Sequence, residues 1–171
     1  MDYFELYGIA PVLQPDPQQV QKIYYLLCRK YHPDQFSLSD TKAQDEAIQM
    51  TSLVNEARSV LLHPDRCLEY LLRRQGILNE EIKQELPPDF LMQMMDFNEE
   101  LMDAKLEGEA ETLNRLRLEL MHMRTTMTDE VKPLLESSEL PIDENAWKQL
   151  KEYYLKKKYL TRIEEQMLPS H

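Results

Sequence analysis

A chain of 171 residues holds one compact domain or two small ones. Its 20 Lys and Arg stand against 31 Asp and Glu, and the resulting formal charge of −11 excludes a general affinity for nucleic acid or anionic membrane, because the phosphate term is repulsive. The 42% of apolar residues suffices for a core, yet no uninterrupted apolar run approaches the roughly 18 residues needed to span a bilayer.

The beginning, Met1-Asp2-Tyr3-Phe4-Glu5, carries acids and no basic stretch leading into an apolar one. Neither a secretory signal nor an Arg-rich transit peptide is expected there, which points to a cytoplasmic location. Cys28 and Cys67 are the two cysteines and form no Cys-x-x-Cys pair, so neither a disulfide framework nor a thiolate zinc site is expected. His32, His63, His122 and His171 are scattered, which gives no support to a metal cluster, and no cofactor is implied. With 27 Leu and 10 Met against 5 Val, 7 Ile and 3 Gly, the chain favours helix formers over strand formers and hairpin glycines. The fold class read from this is all-α.

In chain order, a short amphipathic segment over Tyr3 to Tyr7 is closed by Gly8. Asp16 as N-cap and Pro17 at the first helical position open a helix whose Val20, Ile23, Tyr24, Leu27 and Tyr31 recur at helical spacing, and His32-Pro33 ends it. A second long helix opens near Ser39-Asp40, with Ala47, Met50, Val54, Ala57 and Leu61 spaced alternately by three and four, the narrow seam of an antiparallel helical hairpin. Pro64 starts a shorter helix that faces Leu68, Leu71 and Leu72 inward and stops at Gly76. Four helices thus occupy residues 1–76. Residues 77–88, with Glu80, Glu81, Glu85 and Pro87-Pro88, form a linker. Three helical stretches follow, roughly 89–106, 109–136 and 143–167, and their short connections imply an antiparallel three-helix bundle over 89–171. Residues 76–171 are the acidic part of the chain, with 12 basic and 21 acidic side chains. Its basic run, Lys156-Lys157-Lys158, reads as a solvated face neutralised by neighbouring helices.

The triplet His-Pro-Asp occurs twice. At His63-Pro64-Asp65 a proline at a helix start and an acid in its first turn explain it locally. At His32-Pro33-Asp34 it instead joins the arms of the hairpin, preceded by Tyr31 and followed by Phe36. Together with Asp2-Tyr3-Phe4 and the stretch from Val54 to Leu61, this context resembles the J-domain of heat-shock ATPase co-chaperones. The resemblance implies that the loop His32, Pro33, Asp34 and the helix before it, with Lys22, Arg29 and Lys30, dock on the ATPase and trigger ATP hydrolysis. Asp34 would be the sharpest contact, since a short carboxylate on a rigid loop accepts a bidentate bond from an arginine.

Further residues carry the likeness along nearly the whole chain: His63-Pro64 with Arg66, Glu69-Tyr70-Leu71-Leu72 with Gly76, Phe90-Leu91-Met92, and Glu99-Glu100-Leu101. In these the chain is similar to the HscB family of iron-sulfur cluster assembly co-chaperones. That family joins an N-terminal J-domain to a C-terminal three-helix bundle, delivers the scaffold protein IscU to the HscA chaperone and stimulates the HscA ATPase. The first bundle helix has a stripe of Phe90, Met94, Phe97 and Leu101 to pack it, and a second stripe of Leu91, Met95 and Met102 beside Asp96 and Glu99. Read from periodicity alone, the second stripe is core; the resemblance instead implies a scaffold-binding surface of Leu91, Met95, Asp96, Glu99 and, on the last helix, Tyr159. The absence of a cysteine-containing zinc module before the J-domain is the expectation for a bacterial member.

Two other classes compete. A general J-domain co-chaperone of a DnaK-type ATPase usually resembles proteins with a Gly/Phe-rich tract or Cys-x-x-Cys repeats, features missing here. An enzyme using His32 or His63 with a nearby Asp as base lacks a phosphate-cradling Gly loop, a nucleophile with an orienting partner and a metal set, so no catalytic residues are assigned.

Overall fold

A computed structural model of the chain describes residues 1–32, 34, 41–79, 85–141 and 143–168. Pro33, the Ser39-Asp40 helix opening, Glu80, Glu81 and His171 lie outside the described residues. Seven α-helices and no strand occur among those described: α1 (Tyr3–Tyr7), α2 (Pro17–Lys30), α3 (Thr41–Leu61), α4 (Pro64–Arg74), α5 (Pro88–Glu107), α6 (Ala110–Leu135) and α7 (Glu144–Met167). The chain divides into two compact units, Met1–Arg74 with Leu135–Leu140, and Gln75–Leu134 with Pro141–His171.

In the first unit, α1 is a five-residue helix fixed by its ends. The Asp2 carboxylate accepts from the backbone amides of Phe4 at 2.8 Å and Glu5 at 3.1 Å. Gly8 closes the helix in the left-handed region at φ 61°. So short a helix is marginal alone and is held by docking. The Tyr70 hydroxyl of α4 accepts from the Tyr3 amide at 3.0 Å and donates to Asp2 at 3.1 Å. Arg74 reaches the same carboxylate at 2.8 Å, and the Tyr3 and Tyr70 rings stack at 4.5 Å. The Asp2-Tyr3-Phe4 and Glu69-Tyr70 signatures are therefore the two sides of one contact.

The hairpin of α2 and α3 is one-sided. Val20 on α2 and Ala47, Val54, Ala57 and Leu61 on α3 are buried, whereas Ile23, Tyr24, Leu27, Tyr31 and Met50 are half-buried. Polar groups along the seam complete the fit. The Tyr24 hydroxyl donates to Asn55 at 2.9 Å, and Arg58 lies over the Tyr24 ring at 4.7 Å while bonding Gln21 at 3.0 Å. Tyr7 donates to the Val54 carbonyl at 2.9 Å, which ties α1 to the hairpin.

The second unit is built on α5, α6 and α7. Phe90, Met94, Phe97 and Leu101 are all buried, and Ala104 extends their line by one turn. Leu116, Leu120, Met127 and Val131 of α6 and Trp147, Leu150, Leu160 and Ile163 of α7 complete the core. Arg124 clamps α6 to α7 through both Glu164 oxygens, at 3.1 and 2.8 Å, and Thr161 at 3.1 Å. Gly108, at φ 70°, ends α5 where an L side chain is strained. The lysine run behaves differently from its expected role. Lys156 pairs at 2.5 Å with Glu152 of its own helix and sits over the Phe90 ring, and Lys158 lies over the Tyr154 ring. The neutralisation of Lys156 is thus internal to α7.

Candidate protein-binding surfaces

The first surface lies at the end of α2. Tyr31 caps that helix, and its carbonyl accepts at 3.0 Å from the Thr51 hydroxyl, which also bonds the Ala47 carbonyl at 2.8 Å. Thr51 thus fixes the point from which the His32 to Asp34 loop departs. Asp34 donates its amide to His32 Nδ1 at 3.3 Å and holds Oδ2 at 3.5 Å from the same nitrogen. Its side chain is 91% exposed. The ring thus braces the turn while the carboxylate faces outward. Lys22, Arg29 and Lys30 are exposed on α2, with Lys30 over the Tyr31 ring at 5.0 Å.

Two residues on this face escaped the sequence reading. Tyr25 and Leu26, 62% and 58% exposed, lie between Lys22 and Arg29 at spacings of three, one and three, so the face is mixed cationic and apolar. The signal was available, because neither residue fits the seam periodicity of α2. By contrast, the second triplet is structural. His63 gives its carbonyl to the Cys67 amide at 2.9 Å, and Pro64 is the first residue of α4.

The second surface runs along α5. Leu91, Met95 and Met102 are exposed, Met95 most fully at 69%, and Leu106 continues the same line at spacings of four, seven and four. Asp96 and Glu99 are exposed beside it, and so is Asp103. Tyr159 of α7 joins this edge. It is half-buried, its hydroxyl accepts from the Asn98 amide group at 3.3 Å, and its ring meets Phe90 edge-on at 5.8 Å. Tyr159 is therefore both partial core and rim, with its ring braced by two α5 side chains. Met92, 65% exposed, was quoted in the sequence but not placed in the site. Exposed methionines and leucines on a helix, edged by carboxylates, have the chemistry of an adaptable protein-binding surface. No group of three or more His, Cys, Asp or Glu able to hold a metal ion occurs among the described residues, and no helix there is long and apolar enough to cross a membrane.

Comparison with known proteins matches residues 86–167 to the model of the HSCB C-terminal oligomerisation domain. Over 98% of its length the chain is 33% identical to the co-chaperone protein HscB of Proteus mirabilis, spanning 94% of that protein. The chain belongs to the HscB co-chaperone family. A second HscB homologue, from Neisseria meningitidis serogroup B, is 33% identical over 69% of the chain and 72% of its own length. Among solved structures, human co-chaperone HscB superposes with a TM-score of 0.74 at 28% identity, covering 98% of this chain and 80% of the human one. HscB from Vibrio cholerae gives 0.62 at 27% identity, over 98% of this chain and all of its own. The all-helical HscB architecture, a J-domain followed by a C-terminal helical bundle, is thereby established for this chain.

Proposed function

We propose that this HscB-family chain is a two-ended adaptor of bacterial, cytoplasmic iron-sulfur cluster assembly. Residues 1–76 act as the J-domain, 77–88 as the connection, and 89–171 as the client-binding bundle. The loop His32, Pro33 and Asp34, with Lys22, Arg29 and Lys30 on α2, engages an HscA-type heat-shock ATPase. Leu91, Met95, Asp96, Glu99 and Tyr159 hold an IscU-type scaffold protein, and Met92 extends that surface. The chain performs no catalytic step itself; it brings scaffold and ATPase together and lowers the barrier to ATP hydrolysis on its partner. It binds neither nucleic acid nor membrane.

The observation that carries this reading is the Leu91, Met95 and Met102 line, exposed although the parallel line of Phe90, Met94, Phe97 and Leu101 already packs the helix. Leaving this much apolar surface in water costs about 25 cal/mol for each Å² that a partner could cover, so a client supplies the missing contact. A coupled ATPase assay tests it. The chain should accelerate hydrolysis by an HscA-type ATPase, with a further increase when the IscU-type scaffold is added. Equal stimulation of a DnaK-type ATPase with no scaffold effect would make it a general folding co-chaperone instead.

A further inference from the structure

The client surface has a counterpart on α7. Lys151, Lys158 and Arg162 are seven and four residues apart and recur along one line of the helix. Leu150, Tyr153, Tyr154, Leu160 and Ile163 face the core, whereas Lys158 and Arg162 are exposed and Lys151 half-buried, so the line is the outer crest of α7. Of the other lysines of the helix, Lys148 pairs with Glu144 at 3.7 Å and Lys156 with Glu152 at 2.5 Å, while Lys157 lies over the Tyr153 ring. Among the described residues, no carboxylate comes within 4.0 Å of Lys151, Lys158 or Arg162. In residues 76–171, with 12 basic and 21 acidic side chains, these three aligned cations have no carboxylate partner among the described residues, and Lys158 lies over the Tyr154 ring.

Register places this crest beside the α5 stripe. Asn98 meets Tyr159, Lys105 meets the Gln166 carbonyl, and Phe90 meets both Lys156 and Tyr159, so α5 and α7 run parallel with an offset of 61 to 69 residues. Lys158 and Arg162 are then level with the turns of α5 that carry Leu91 and Met95, and Lys151 lies at the start of that helix, where it lines a cavity with Glu85, Pro87 and Pro88. A partner seated on the stripe meets Asp96, Glu99 and Asp103 on one side and three cations on the other. We propose that Lys151, Lys158 and Arg162 receive acidic side chains of the client protein bound on α5, so that a split of charge across α5 and α7 fixes the client's orientation. This rests on α5 being the client face. A continuous polyanion is the wrong occupant. The α5 carboxylates stand one helix spacing away, about 8–10 Å, comparable with a Debye length of about 8 Å at physiological salt, and would repel it. A protein carrying both signs satisfies both helices, and such pairing acts mainly on the rate of encounter.

The test is stopped-flow association of the full chain with the IscU-type scaffold at low and high salt. Replacing all three residues by Glu, with the helical signal unchanged, should slow association about tenfold at low salt, and the difference should shrink to about twofold or less at high salt. The triple Gln variant should fall between. Met95→Ala, measured alongside, should weaken binding at both salts. If Met95→Ala weakens binding but the Glu triple associates like the parent, the crest has no client role and the α5 site stands. If Met95→Ala binds as the parent does, the α5 site and this inference both fail. Anionic vesicles captured by the parent and released by the Glu triple, with scaffold association unchanged, would assign the crest to a lipid surface and overturn the proposal.

Discussion

Asp34 and Asp65 belong to identical triplets and do different work, because their neighbours differ. Asp34 is braced by His32 at the mouth of the hairpin, whereas Asp65 sits in the first turn of α4, where an acid complements the helix dipole. Asp34→Asn should abolish stimulation of the ATPase while helicity and scaffold binding stay at parent levels; Asp65→Asn should keep stimulation. A coupled ATPase assay with circular dichroism on both variants checks this, and loss of stimulation in Asp65→Asn alone would move the docking loop. The cysteines offer a second contrast. Cys67 is fully buried, its thiol bonds the Val12 carbonyl at 3.7 Å, and burial pushes its pKa up to about 12. Cys28 is half-buried. Under native conditions at neutral pH an alkylating reagent should modify Cys28 and spare Cys67, read by mass spectrometry of the peptides; equal labelling would contradict the packing of α4.

At the scale of elements, α1 shows what a short helix needs. Asp2→Ala removes an N-cap, a bond to Tyr70 and the Arg74 ion pair together, and should cost about 1–3 kcal/mol in a denaturant titration. The same corner gives a pH dependence. Tyr3 is raised to about 12, chiefly by burial and then by Glu56, while burial also raises Tyr7, Tyr70 and Cys67. These groups stay protonated in the fold above the ordinary values of 10.0 for tyrosine and 9.0 for cysteine at which the unfolded chain releases its protons. Their contribution is therefore complete below about pH 9 and is lost as pH rises toward 12. The melting midpoint should hold from pH 7 to 9 and fall above it; a constant midpoint to pH 11 would contradict this. Helix ends were legible where Gly8 and Asp16 act on their immediate neighbours. The docking of α1 on Tyr70, 67 residues away from Tyr3, was not. Nor was the shallow burial of α2, since Ile23 and Leu27 have core-like spacing whether a helix is covered on one side or two.

At the scale of the molecule, the fold class followed from composition, while the client surface depended on the family resemblance. Leu91, Met95 and Met102 occupy helical spacings that a core also uses, so periodicity favoured burial and the three-dimensional packing reversed it. The adaptor reading stands on that exposure, and four variants of α5 separate the two roles of its apolar residues. Phe90→Ala and Phe97→Ala remove buried rings and should cost about 3–5 kcal/mol of stability. Leu91→Ala and Met95→Ala remove surface contacts, so they should melt near the parent yet bind scaffold about tenfold more weakly or worse, roughly 1.4 kcal/mol each. The decisive measurement is calorimetric titration of Met95→Ala with the IscU-type scaffold, at a temperature where its melting curve shows it fully folded. A loss of affinity of about tenfold or more is expected; parent-like affinity in that folded variant would contradict the assignment of α5 as the client surface.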